Sequence, residues 1–547
     1  MSIIQAKADA GLLHKLKDLQ SAPVVIATQA SGSVEKSDTD VPAKKLKILL
    51  DLKPALDGYA GIPQEARLLF RGLRMMDGVD VEGLIQHGSR RLRSAVPPKG
   101  KELTASRRIN RLSRVIVSLN ENPYSSMLDT AVEGVQRYFA LSLLRMKVIT
   151  GGSLTPGVFD SNLFDDFIWR GFFSKTLKPS DKELVTSARY RILRTPKKHL
   201  HQVGLSGLRY SSTPRYAKID TRGFDVFLAQ TPFPARVSTG TSMVVRYHDA
   251  VPVLMPHTIS DKAFHQASHF YALQQNVLAG AWFSCISEAT RSDLLKIFPE
   301  AEPKTSVIHN IVSNEYFDDQ SPKGLVLQIV RNRLAKTDAF KTDMRNVKFD
   351  DSKDKSGDFD YLLMVSTLEP RKNHMMLMGA WERLKYTSMP KLKLVIVGNI
   401  GWDHSPILDA FRPWAERGDL FYLSNVPSSE LRALYKHAAA TICPSLAEGF
   451  DYSGIEAMRS GGIAISSDIP VHREIYGDAS VYFNPYSTEE AAAAIHGVLA
   501  PGGKTIRERL HAEGARISDR YTPRNILPKW EEFFEMLQRS SAARKSK

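Results

Sequence analysis

Cysteine is nearly missing from this chain of 547 residues: only Cys285 and Cys443 occur. Each sits in a short apolar run, AWFSCIS and ATICPS, with no CxxC or histidine-rich neighbourhood. A disulfide framework and a structural zinc site are therefore excluded as organising devices, and a reducing compartment is expected. Long apolar runs are missing too. A spanning helix needs about 20 apolar residues in a row. The longest candidate, AVEGVQRYFALSLLRMKVI, is broken by Glu133, Arg137, Arg145 and Lys147. It reads as an amphipathic or core helix. No basic–apolar–small leader opens the sequence, and no internal repeat stands out. The expectation is a cytoplasmic protein, with peripheral contact at the inner face of a membrane as an option set by charge.

Negative charge is in deficit, leaving a formal net charge of +15. The excess is concentrated between Gly88 and Arg114, where Arg90, Arg91, Arg93, Lys99, Lys101, Arg107, Arg108, Arg111 and Arg114 face Glu102 alone. A solvated helix face explains such a run as well as an anionic partner does. No aromatic–basic RNA motif accompanies it, so nucleic acid is not expected as a partner.

What is present is a recurring alternation of short apolar runs and helical patterns. The apolar fraction is 43%, enough for sizeable cores. Residues 1–43 read as a tail. The first clear strand is LKILLDL, and residues 44–320 read as one α/β lobe with a helical, basic insertion over 88–215. Within that lobe DVFLAQ, SMVVRYHD, AWFSCIS and TSVIHNIV read as strands, and Ser287 as the N-cap of the helix EATRSDLLKIF. Residues 321–357 read as a linker. Residues 358–522 form the cleanest part, with DYLLMVSTL, LKLVIVGNI, DLFYLSN, ATICPS, GIAISSD and SVYFNP each ending in a turn. Continuous apolar strands alternating with helices predict parallel sheets covered on both faces. Residues 523–547 read as a last helix and a basic end. The predicted fold class is α/β, with two Rossmann-like lobes facing across a cleft. Ligands of such sheets bind beyond the carboxyl ends of the strands.

Chemistry-bearing residues collect at those strand ends. In PSLAEGFDYSGIEAMRSGG a strand ends in a loop with Glu448, Gly449 and Phe450. A helix then starts near Ser453–Gly454, carries Glu456 in its first turn and stops at Gly461–Gly462. A helix start presents free N–H groups to an anion such as a diphosphate. Either carboxylate can accept two hydroxyl hydrogen bonds from a sugar or ribose. In VSTLEPRKNH, Arg371 and Lys372 sit on the turn after another strand, where two cations would stabilise a departing diphosphate. In VVRYHDAVP a strand delivers His248 and Asp249, the imidazole towards a sugar and Asp249 to orient the turn. In DGYAGIPQEARLLFRGL, Gly58 and Gly61 would let backbone N–H groups approach a phosphate.

The segment 444–462, with its extension AISSDIPVHREIYGDASVYFNPYSTEEAAAAI, resembles the E-x7-E signature of family 4 retaining glycosyltransferases of the GT-B fold, mannosyltransferase-like and bacterial in type. The resemblance covers about 358–500, continues more loosely through 225–315, and is faint at 46–75. The loop departs from it, with FDYSG where Phe-Gly-Leu-Pro is commoner. By this resemblance Glu448 approaches the donor sugar, Glu456 binds the ribose, and His248 contacts the sugar. Asn425 and Val426 hold the nucleobase through backbone groups. The implied activity is transfer of a hexose, mannose being one candidate, from a nucleotide diphosphate sugar to a polysaccharide or lipid-linked acceptor. Protein cations would stand in for a metal, so no cofactor is expected. A glycoside phosphorylase or nucleotide-sugar epimerase on the same fold is the alternative, and a non-enzymatic scaffold for anionic polymers a further one. The aromatic, basic stretch FDDFIWRGFFSKTL and its surroundings are expected to face the acceptor, or an anionic membrane surface.

Overall fold

Short apolar runs have formed two separate parallel sheets in the computed structural model, which describes residues 45–59, 61–93, 103–120, 127–334 and 359–545. The strands of the first lobe are β1 (Leu46–Asp51), β2 (Val79–Ile85), β3 (Ser153–Leu154), β4 (Gly157–Phe159), β5 (Tyr190–Ile192), β6 (Lys218–Ile219), β7 (Val226–Ala229), β8 (Ser242–Tyr247), β9 (Trp282–Cys285) and β10 (Thr305–Val307). Its main sheet runs β10-β9-β8-β7-β1-β2-β5-β4, and only β4 is antiparallel to its neighbour. β3 and β6 pair separately.

The second lobe is built on β11 (Tyr361–Val365), β12 (Lys393–Val397), β13 (Leu420–Leu423), β14 (Ala440–Cys443), β15 (Ala464–Ser467) and β16 (Ser480–Phe483). They run β13-β12-β11-β14-β15-β16, all parallel. This is the doubly wound order, in which direction reverses beside the first strand and opens a crevice at the carboxyl ends. In the second sheet that crevice lies between β11 and β14, and in the first between β1 and β7.

The helices follow from their spacing. Ser428–His437 buries Leu431, Leu434 and Tyr435, three and four residues apart on one face. Ser287 caps Glu288–Ile297, its hydroxyl accepting the Thr290 N–H at 3.1 Å. Ser487 does the same for Thr488–Leu499. The last helix, Pro523–Lys545, crosses back to the first lobe, where Phe533 meets Trp282 edge-on at 6.3 Å.

Four expectations need correction. The region 88–215 is not only a helical insertion, because it supplies β4 and β5 to the main sheet. Its aromatic stretch faces inward: Phe172 and Phe173 are fully buried, and Phe173 stacks on Phe70 at 5.3 Å. Their interleaved charges point outward, which the spacing alone did not reveal. The supposed linker begins as a helix, Leu325–Leu334, whose Val326, Ile329 and Val330 are buried while Arg333 pairs with Glu430 of the second lobe. The strand expected at TSVIHNIV stops at Val307. The tail 1–43, Lys99, Lys101, Glu102 and residues 335–357 of the linker lie outside the described residues.

Candidate active site

The crevice of the second sheet is closed by two strand-end loops that are tied to each other. After β11 the chain makes a tight turn, Pro370–Lys372, and Asn373 takes a left-handed conformation with φ 62°. Its amide donates to the carbonyls of Pro444 and Pro485 at 3.0 and 2.8 Å. The Arg371 carbonyl accepts the Leu446 N–H at 2.9 Å. These bonds hold Arg371 and Lys372 against the loop after β14.

Both cations meet one carboxylate there. Glu448 accepts Arg371 Nη1 at 3.0 Å and Lys372 Nζ at 2.5 Å. Arg371 also donates to Glu369 at 2.7 Å and to the Ala447 carbonyl. Burial opposes ionisation of Glu448, but Arg371 and Lys372 outweigh it and hold the carboxyl below its ordinary range. Glu369 is pushed the other way, because burial exceeds the pull of the same cations. An anion-shaped seat with two protein cations thus lies at the switch point, filled by the protein's own carboxylate.

The helix that follows runs Tyr452–Arg459 and is entered through Asp451, at φ 59°. Asp451 Oδ1 accepts the backbone N–H of Ser453 at 3.2 Å and its hydroxyl at 2.6 Å. Asp451 Oδ2 lies 3.1 Å from His472 Nε2. Burial resists the charge on Asp451, but bonds from His472 and Ser453 and the nearby Lys372 hold its carboxyl well below the usual range. Gly454 packs against the Tyr476 ring. Phe450 is buried between the rings of Tyr452 and Tyr521, each 5.2 Å away.

The first lobe closes over this loop. His248, after β8, is almost fully buried, and its carbonyl packs against Gly449. Burial, helped by the charge on Arg246, lowers the imidazole to about 3, so it is neutral near pH 7. Its Nε2 has no protein partner. Gly61, at φ 69°, opens the helix Ile62–Arg74 in a backbone conformation that suits glycine. From that helix Gln64 reaches across to Glu456 at 2.8 Å, and Tyr435 donates to the other oxygen at 3.1 Å. Burial raises the Glu456 carboxyl to about 7, against the bonds from Gln64, Tyr435 and Tyr316. Glu456 stands in the second turn of its helix, not the first, because the helix begins at Tyr452.

The structure therefore gathers Arg371, Lys372, Glu448, Gly449 and His248 at one place, with Ser453, Gly454 and Glu456 on the adjoining helix. Asn425 and Val426 sit apart, after β13. There Asn425 has φ 53°, Val426 is buried, and the Asn425 carbonyl accepts from Arg333 at 3.1 Å. Among the described residues no group of histidine, cysteine or carboxylate side chains is placed to hold a metal.

Several members were not singled out from the sequence. Arg246 and Glu65 form a fully buried ion pair at 2.9 Å, and Tyr452 of the second lobe donates to the same Glu65 at 3.2 Å. Glu474 accepts the N–H groups of Glu288 and Ala289 at the start of a first-lobe helix and pairs with His309 at 2.9 Å. Arg246 interrupts an otherwise apolar strand, which is the one sequence signal that marked it. Glu65 and Glu474 carry no such mark.

Residues 347–515 match the family described as Glycosyl transferases group 1. The second lobe is a group 1 glycosyltransferase domain. The chain is 30% identical over 135 residues to O-antigen chain mannosyltransferase B of Escherichia coli, covering 25% of this chain and 35% of that protein. It is 25% identical over 258 residues to O-antigen chain mannosyltransferase RfbU of Salmonella typhimurium, covering 47% and 61%. It thus aligns with between about a third and three-fifths of these relatives' lengths. Sucrose-phosphate synthase from Thermosynechococcus elongatus superposes on 91% of this chain and over 100% of its own, with a TM-score of 0.55 at 13% identity. At that identity the likeness is one of fold, and the chain has the two-lobed GT-B architecture.

Proposed function

We propose that this chain transfers mannose from a nucleoside diphosphate to a carbohydrate or lipid-linked acceptor, with retention of anomeric configuration, in the assembly of an O-antigen-like polysaccharide. The observation that carries this reading is the seat made by Arg371 and Lys372 around Glu448 at the switch point. The donor diphosphate would take over the two cations and free Glu448 to accept sugar hydroxyls. Arg371 would grip phosphate oxygens in a fork, and Lys372 would act as a point charge. The neutral imidazole of His248 offers Nε2 to the sugar. Glu456 would turn from Gln64 to the ribose.

In the chemical step the acceptor oxygen bonds to the anomeric carbon on the face from which the phosphate departs. The acceptor proton passes to the leaving phosphate oxygen, so no separate base is required. The cations lower the barrier by stabilising charge that develops on the diphosphate. Acceptor hydroxyls would meet the carboxyl ends of β1, β2 and β7. There Gln86 Oε1 and both polar atoms of the Gln230 side chain are buried without hydrogen-bond partners, and Asp51 Oδ2 lies 3.8 Å from Lys197 Nζ. The relatives' names supply mannose and the polysaccharide setting.

The test is incubation with guanosine, uridine and adenosine diphosphate mannose and an oligosaccharide acceptor, with and without inorganic phosphate. Acceptor-dependent release of nucleoside diphosphate is expected, and phosphate-dependent release would point to a phosphorylase instead. Lys372→Ala should lower turnover by about 100-fold. Turnover like that of the unaltered protein would refute the assigned seat.

A further inference from the structure

The helix Met127–Ile149 carries its apolar residues on the wrong side for a core. Its inward face is short: Leu144 is buried, and Leu141 and Val148 pack beside it on the first-lobe core. Its outward face shows Val135, Tyr138, Phe139, Leu143, Met146 and Ile149, each more than half exposed. At about 100° per residue these six fall in a sector roughly 140° wide. A contiguous exposed stripe of this kind marks an interaction site.

Charge says what kind. Arg145 and Lys147 border the two edges of the stripe, and no acidic residue occurs from Arg137 to Ile149. The helix sits against Lys197–Ser206, where Arg137, Arg91 and Lys198 bear on His199; burial and these charges lower His199 to about 4. Nearby, Arg91 and Arg111 also bear on Arg194. Helix Ala105–Asn120 adds Arg107 and Arg114 and contains no acid. Among the described residues, no helix is long and apolar enough to cross a bilayer. An apolar stripe with a basic border, on a helix too polar to span, suits the interface of an anionic bilayer.

We propose that helix Met127–Ile149 docks flat on an anionic lipid surface. Its stripe enters the headgroup–acyl boundary, and Arg145 and Lys147 stay at the level of the lipid phosphates. Their aliphatic stems cover the apolar edge while their charges remain hydrated. The proposal stands apart from the transferase reading, since docking is read without turnover.

The test is sedimentation of the full chain with phosphatidylcholine vesicles, with and without a minority of phosphatidylglycerol, at low salt. About tenfold more protein should pellet with the anionic vesicles. The double variant Phe139→Asp, Leu143→Asp should stay in the supernatant with an unchanged melting midpoint, since both side chains are exposed. A second measurement does not depend on that variant. Both native cysteines are buried, so Phe139→Cys can be labelled selectively with an environment-sensitive dye. Its emission should shift to the blue on anionic vesicles only. The proposal is overturned if the unaltered chain stays in the supernatant, or if the double variant pellets equally. It is also overturned if the dye does not respond, or if the stripe instead holds a dimer that the double variant dissociates.

Discussion

The carbonyl oxygen of His248 lies where a side chain on Gly449 would begin: an ideal Cβ would stand 1.8 Å from it. Backbone of the first lobe and backbone of the second thus touch at the centre of the candidate site. Only a residue without a side chain permits that approach. Gly449→Ala should therefore keep the lobes from closing. Transfer is expected to fall by more than about 100-fold, because reacting groups displaced by an ångström lose that much. Small-angle scattering should show a larger radius of gyration. An alanine variant as compact and active as the original would disprove the closure.

Glu456 ties pH to stability. Its carboxyl titrates at about 7 in the folded chain, against 4.5 for an unburdened glutamate. Below about 4.5 both states are protonated and nothing is lost. As pH rises the unfolded chain releases its proton first, so stability falls until the folded carboxyl ionises near 7. The full cost, about 3 kcal/mol, then applies. Glu456→Gln should flatten this slope and raise the melting midpoint at pH 8. A lower midpoint at pH 8 would mean that the charged form is favoured in the fold.

Asp451 places a negative charge where a diphosphate would approach the helix Tyr452–Arg459. Asparagine caps a helix equally well and tolerates positive φ. Asp451→Asn should therefore keep the fold and tighten nucleoside diphosphate binding by about tenfold, through removal of one repulsion. Titration calorimetry reads this directly. Weaker binding would show that the carboxylate serves the ligand by orienting His472.

The second lobe was legible because its signals agree. Its strands are uninterrupted apolar runs, its helices bury one face, and its charged motif residues fall on the turns. The first lobe was harder for physical reasons. β4 and β5 are three residues long, too short for a period to show, and β5 lies among arginines. Phe172 and Phe173 are flanked by Arg170 and Lys175, so a buried turn resembles a charged surface. The contacts that close the cleft escape any local pattern: Gln64 and Glu456 are 392 positions apart, and Glu65 and Tyr452 are 387 apart. Arg371 and Lys372 showed themselves as a pair, but their hold on Glu448 follows only once β11 and β14 are neighbours.

The guanidinium of Arg246 is roofed by Trp530, 5.2 Å from the ring centre, so the last helix of the chain shelters a charge made near its middle. A first half produced alone would leave that cation and Trp282 facing water. Chimeras assembled from two such chains should consequently take their closing segment from whichever parent donates the first lobe, not from the donor of the second.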